Sequence, residues 1–296
     1  MSPFPQVTLA QPVHLEGVGI HTGQDIRLTL RPAAPNSGVR FLRTDVSDRD
    51  PAISATAEAV VGVRLGTVIG NAEGVTVSTV EHLMAAFSGL GVDNALVEID
   101  GPEVPIMDGS GEAFVAAIDV AGRKEQTARR RFIEVLETVT VEEDGKSASL
   151  HPADAFEVAF EIAFDTSAIG RQRLDLVVDE VSFREELAAC RTFGFMHEVE
   201  ALRQAGLARG GTLENVVVIE GDRIVNPEGL RCADEFVRHK ALDAVGDLFL
   251  LGAPLLARYE GVCSGHGLNN ALARALLARP EAWRYAAPKQ ALAEAV

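Results

Sequence analysis

The chain has 296 residues, 47% of them hydrophobic and 24% charged, the composition of a globular protein able to bury a substantial core. Its 27 basic and 43 acidic residues leave a formal net charge of −16, with only 5% aromatics. Such a surface repels nucleic acid and anionic lipid; with no long basic stripe carrying interleaved aromatics, nucleic acid is not an expected partner, while an anionic small molecule met by local cations remains open. Cys190, Cys232 and Cys263 lie far apart and form no C-x-x-C pair; they read as reduced thiols and poor metal ligands.

Taken in chain order, Met1 to Gly17 shows no basic stretch followed by an apolar run, which argues against a secretory signal. The longest apolar stretch, around Leu248 to Ala257, is far shorter than a membrane span requires. We therefore expect a soluble, cytoplasmic protein without stable membrane insertion. Glu81 to Ser88 is helix-like and stops at Gly89 and Gly91, and Ala95 to Ile99 reads as a strand closed by Asp100-Gly101. Ala113 to Ala121 reads as a short apolar helix. The charged run Gly122 to Arg131 follows, a solvated break between two periodic segments and the natural domain boundary; an exposed loop inside one domain is the alternative. Phe132 to Val141 alternates like a strand. Thr138 to Val141 and Ser147 to Leu150 flank Glu143-Asp144-Gly145, a hairpin signal. Ala233 to Leu251 has helical periodicity, with Phe236, Leu242, Val245, Leu248 and Phe249 on one face.

One internal echo joins the halves. Val80-Glu81-His82 opens the first helix, and Val237-Arg238-His239 lies in the later one; small-residue turns follow each, Met107 to Ser110 and Ser264 to Gly267. A duplicated domain would set the two helices face to face, and chance similarity is the competing explanation.

Some residues invite chemistry. His239 and Asp243, four apart, share a helical face within reach of one ion, and imidazole plus carboxylate suits zinc. Asp247 extends the stripe, though a solvated acidic face with a surface histidine has the same spacing. His82 is the best third ligand, and Glu81 beside it stands where a general base would take a proton from a metal-activated water; isolated Glu-His pairs are also common on helices. His266, with glycine on both sides, sits in a tight turn at a helix start, as a general acid, an anion contact or simply a turn residue. Arg191 to Phe195, leading into Leu202, Leu207 and Gly210-Gly211, reads as a pocket wall for an aliphatic chain or as ordinary core.

Together these fragments resemble one family, the UDP-3-O-acyl-N-acetylglucosamine deacetylases of lipid A synthesis. The resemblance rests on six strings in order: Gly17 to Gly23, Ser78 to Ala86, Gly101 to Ser110, Arg191 to Phe195, Asp234 to Lys240 with Asp243 and Gly246-Asp247, and Ser264 to His266 with Leu268 to Asn270. It implies an α+β fold of two similar domains, 1–124 and 131–296, each a helix layer packed on a sheet, with the active site between them and an acyl-passage insert near 191–211. It implies Zn2+ on His82, His239 and Asp243, with Glu81 as general base. Thr192 would hold the oxyanion, and His266 would be the cationic acid supported by Asp247. Lys240, Lys146, Phe193, Phe164 and His21 fall at substrate positions, with Phe164 placed to stack a uracil. The implied partner is a nucleotide sugar carrying an acyl chain.

Two stretches depart from that pattern: Cys263 stands where the family typically has lysine, and Ala163 to Ser167 stands where it usually reads Asp-Phe-x-His-Pro, keeping Phe164 but losing the aspartate and the His-Pro. These departures leave a paralogous zinc deacetylase for another N-acetylated amino sugar as the alternative. The apolar tail Ala291 to Val296 reads as a recognition signal for a regulatory protease or as a frayed helix end.

Overall fold

A computed structural model describes residues 4–287. The first sheet has five strands in the order Val13–Val18, Asp25–Pro32, Ala95–Ile99, Val39–Arg43 and Ala52–Ser54. Its strands alternate as one-sided sheets do: Ile26, Leu28 and Leu30 point inward while Asp25 and Arg27 face water. The second sheet has seven strands, all drawn from residues 132–286, around Leu255–Val262. That central strand pairs antiparallel with Lys146–Pro152 and parallel with Phe156–Ala163 and Phe132–Val135.

Six α-helices lie among the described residues: α1 (Glu81–Gly89), α2 (Glu112–Ala121), α3 (Glu180–Ser182), α4 (Met196–Gln204), α5 (Glu235–Phe249) and α6 (His266–Leu277). Helix α2 packs on α1 and on strand Val13–Val18; α5 packs on Phe156–Ala163 and Arg171–Val177, and α6 on the hairpin beside them. Helices α1 and α5 pack against each other between these layers. Both are buried on almost every side, as befits helices with partners on all faces. Their backbones approach so closely that a Cβ on Gly246 would collide with the Glu81 carbonyl oxygen. The fold is α+β, with the two helices that carry His82 and His239 meeting face to face as the echo predicts.

Several elements sit where the sequence places them: α1, α2, α5 and strand Ala95–Ile99 each fall within two residues of the expected bounds. The hairpin Val139–Glu143/Lys146–Pro152 closes with Glu143 opposite Lys146, so Asp144-Gly145 is a two-residue loop with φ of 50° and 75°. Positive φ at both positions is the geometry for which Asp-Gly is selected.

Two expectations need correction. The charged run after Gly122 is not a loop: Arg123–Arg129 is a strand paired antiparallel with Pro5–Leu9 in a two-stranded ribbon. Most of its side chains face solvent, so an edge position lets a charged segment form a strand without an apolar face. Phe132 to Val141 is two strands, Phe132–Val135 and Val139–Glu143. The alternation continues across the bend between them, where Leu136 N–H bonds the Ala282 carbonyl instead of a neighbouring strand. The segment read as an insert near 191–211 carries regular structure that runs on to Ile224. Strands Phe193–Phe195, Val217–Glu220 and Arg223–Ile224 form a small sheet with α4 packed on it. The tail from Ala291 to Val296 lies outside the described residues. Among those described, no helix is long and apolar enough to cross a membrane.

Candidate active site

The first turn of α1 delivers Glu81 and His82 to the helix crossing, and the middle of α5 delivers His239, Asp243 and Asp247. All five are buried to 3% exposure or less. Such burial of charge demands partners. The Nε2 atoms of His82 and His239 each lie 3.4 Å from Asp243 Oδ1. The two rings stand edge to face with centroids 5.0 Å apart, and one ligand atom from each of the three residues lies within 4.8 Å of the others.

The electrostatics suit metal ligation. Burial pushes His239 down to about 4, which keeps it neutral at pH 7 with a free nitrogen lone pair. Its Nδ1 donates to the Cys190 carbonyl at 3.0 Å, leaving Nε2 to face His82 and Asp243; such an outer partner is what fixes a metal-binding imidazole. Burial alone would raise the Asp243 carboxyl, but His239 and Lys240 hold it well below the usual range. Lys240 Nζ donates to Asp243 Oδ2 at 2.7 Å and so leaves Oδ1 to the metal position. Two imidazoles and a carboxylate with converging lone pairs fit a catalytic metal that retains an open coordination position.

Glu81 and His266 flank this cluster. His266 Nε2 is 4.0 Å from both Glu81 Oε1 and Asp243 Oδ2, and its Nδ1 donates to Asp247 Oδ2 at 2.9 Å. Burial would lower the His266 pKa, but the charges of Asp247 and Glu81 prevail and raise it to about 9. Burial raises Glu81, opposed by His266 and His82; its Oε2 accepts the Thr67 backbone N–H at 2.9 Å. An imidazolium beside a buried carboxylate is the kind of pairing that acid–base chemistry uses. Thr67 Oγ1 and Asn269 Nδ2 complete the Asp247 carboxylate at 2.6 and 2.9 Å. Neither was singled out as a site residue from the sequence, although Asn269 lies one turn beyond His266 on α6.

Two cavities meet at the cluster. One, of about 430 Å³, is walled largely by apolar residues of the insert, including Phe195, Val199, Leu202 and Val216. The other, of about 410 Å³, is lined by Lys146, Lys240, Glu143, Cys263 and Ser264. Thr192, Phe193, His239, Asp243 and His266 border both. His21 borders the apolar cavity, but both of its ring nitrogens are taken by backbone: Nε2 bonds the Leu65 carbonyl at 3.0 Å and Nδ1 accepts from Ala208 N–H at 3.4 Å. Phe164 is not brought to either wall; its ring packs 5.8 Å from Phe193 and from Phe195. Cys263 adopts φ 50° at the rim of the polar cavity, and Ala163 is exposed at the end of its strand.

The family model described as UDP-3-O-acyl N-acetylglycosamine deacetylase matches residues 6–278. The chain belongs to that deacetylase family. A UDP-3-O-acyl-N-acetylglucosamine deacetylase from Phenylobacterium zucineum is 64% identical over 291 residues, 98% of this chain and 99% of the relative. Enzymes of the same name from Chromohalobacter salexigens and Teredinibacter turnerae are 50% and 49% identical, each over 94% of this chain and 92% of their own length. Membership in this deacetylase family makes the protein an enzyme, and the buried His-His-Asp cluster is the one group among the described residues with metal-ligand geometry.

Proposed function

We propose that this protein hydrolyses the 2-acetamido group of UDP-3-O-acyl-N-acetylglucosamine with a zinc ion on His82, His239 and Asp243. The products are acetate and UDP-3-O-acyl-glucosamine, at the committed step of lipid A synthesis in the cytoplasm. The observation that carries this reading is the meeting of an apolar and a polar cavity at the metal-ligand cluster. Such a junction fits a substrate with an acyl chain at one end and a charged nucleotide at the other. Residues 1–124 and 131–296 are read as the two domains that hold the junction between them.

Zinc at this position would supply Lewis acidity, polarising the amide carbonyl and easing ionisation of water. Glu81, raised by burial, takes the proton as the water oxygen bonds to the carbonyl carbon. Thr192, bordering both cavities, donates its hydroxyl to the carbonyl oxygen as negative charge gathers there. His266, protonated at neutral pH because Asp247 and Glu81 outweigh its burial, gives its Nε2 proton to the amide nitrogen as the C–N bond breaks. Lys146 and Lys240 face the diphosphate side, Phe193 sits at the junction, and Phe164 supports Phe193 and Phe195 from behind.

Cys263 favours a second reading. A thiol where the resemblance calls for lysine removes a cation from the nucleotide end, which would suit a paralogue acting on another N-acetylated amino sugar. Turnover on UDP-3-O-acyl-N-acetylglucosamine beside N-acetyl sugars lacking UDP decides between them. The primary reading expects activity that depends on UDP, and comparable rates without UDP overturn it.

A further inference from the structure

We propose that Glu235 is a positioning residue for the metal ligand His239, acting through the peptide that joins Cys190 to Arg191. This rests on the reading of His82, His239 and Asp243 as metal ligands. Glu235 opens α5, and His239 lies four residues later on the same face. Between them sits one peptide plane of the preceding segment. Its N–H, from Arg191, donates to Glu235 Oε1 at 3.0 Å. Its C=O, from Cys190, accepts His239 Nδ1–H at 3.0 Å.

A trans peptide points its N–H and C=O in opposite directions, so this one runs as a dipole from carboxylate to imidazole. Negative charge on Glu235 polarises the peptide and makes the Cys190 oxygen a stronger acceptor, as in any hydrogen-bonded chain in a low-dielectric interior. A stronger acceptor holds the proton on Nδ1 and makes Nε2 the better metal donor. In many metal sites a carboxylate bonds the ligand histidine directly; here one peptide is interposed.

The carboxylate is held for this role. Besides the Arg191 amide, it accepts Arg191 Nε at 2.9 Å, Nη2 at 3.2 Å and the Arg231 amide at 2.7 Å. Burial would raise its pKa, but these donors bring it below its ordinary value. Glu235 is 0% and Arg191 2% exposed. A buried ion pair contributes little net stability over apolar packing, so stability alone does not account for it. Orientation does. Glu228 Oε1 and the Gly229 carbonyl take the outer guanidinium nitrogens at 2.7 and 2.8 Å. Beyond the pair, Thr192 is fixed by bonds to the Gly109 carbonyl and the Val217 amide, both 2.8 Å.

The test is zinc affinity, read by chelator competition on holoenzyme of wild type, E235Q and E228Q. Loss of the Glu235 charge should weaken zinc binding about 10- to 100-fold, the range for an outer partner of a ligand histidine. Glu228 holds only the far side of Arg191, so E228Q should bind zinc as wild type does. Folded E235Q with wild-type zinc affinity overturns the proposal, and so does an equal loss in E228Q. If E235Q fails to fold, Arg191→Met with Glu235→Gln removes both charges together and is read by the same criterion. Wild-type protein that takes up no zinc would instead overturn the metal reading itself.

Discussion

The two cavities at the helix crossing are nearly equal in volume and opposite in character. The apolar one is built from the insert, whose helix α4 has no buried residue of its own. The polar one is built from the second sheet and the start of α6, with Lys146 and Lys240 on its wall. Between them lies a cluster buried far more deeply than either wall. The cluster therefore stands on mutually packed helices; the apolar wall comes from a separate element, whereas the polar wall shares Lys240 with α5 and is tied to the cluster through Asp243.

Changes at the junction should have the largest effects. Glu81→Ala is expected to retain zinc and to lose activity by about 10²- to 10⁴-fold, the usual contribution of a general base. Metal analysis with single-turnover kinetics checks this, and loss of zinc would make Glu81 structural. His266→Ala should cost on the order of 10²-fold, and its charge gives a second readout. In metal-free protein the raised pKa of His266, about 9, means a stabilising contribution present in full below its ordinary value, near 6.5. That contribution is lost as pH rises through about 9. Asp247→Asn should lower the titration midpoint seen by NMR, because it removes the larger of the charges that raise it; an unmoved midpoint would break the pairing.

Substitutions in the walls should separate the two cavities. Leu202→Lys in the apolar wall is expected to raise KM by roughly 10-fold for long-acyl substrates while sparing short ones, since burying an unpaired charge against the chain is costly. Lys146→Ala should raise KM a few-fold for any UDP-bearing substrate, whatever its acyl length, as for loss of one partly exposed charge contact. Steady-state kinetics on a matrix of acyl lengths, with and without UDP, distinguishes the patterns; a shared response would mean that the cavities are not separate subsites. The smallest expected effect is at Cys263→Lys. The backbone there already holds a non-glycine residue at φ 50°, so lysine adds a cation without new strain and should lower KM for the UDP substrate a few-fold.

The sequence makes some of this legible and hides the rest for physical reasons. His239 and Asp243 declare themselves because helical periodicity fixes what lies four residues apart. His82 and Glu81 are legible only through the echo between the halves and the family resemblance, since spacing within α1 does not say what it crosses. The contact is written only in Gly246, whose missing side chain admits the Glu81 carbonyl. Strand Arg123–Arg129 reads as a solvated break because an edge strand needs no apolar alternation. The part played by Thr67 has no sequence signal, because it acts by a hydrogen bond to Asp247 across the fold; Asn269 falls in a motif string one turn beyond His266, but its bond to Asp247 is not written in that spacing. Phe164 shows the converse, a motif position whose ring packs behind the cavity walls.

On the proposed reading, His82, His239 and Asp243 hold the ion on which deacetylation depends. Zinc titration of chelator-stripped protein, followed by acetate release from UDP-3-O-acyl-N-acetylglucosamine, tests it most directly. No turnover is expected before addition, with full recovery at about one zinc per chain. Acetate release that persists in the stripped protein, or that zinc fails to restore, would contradict it.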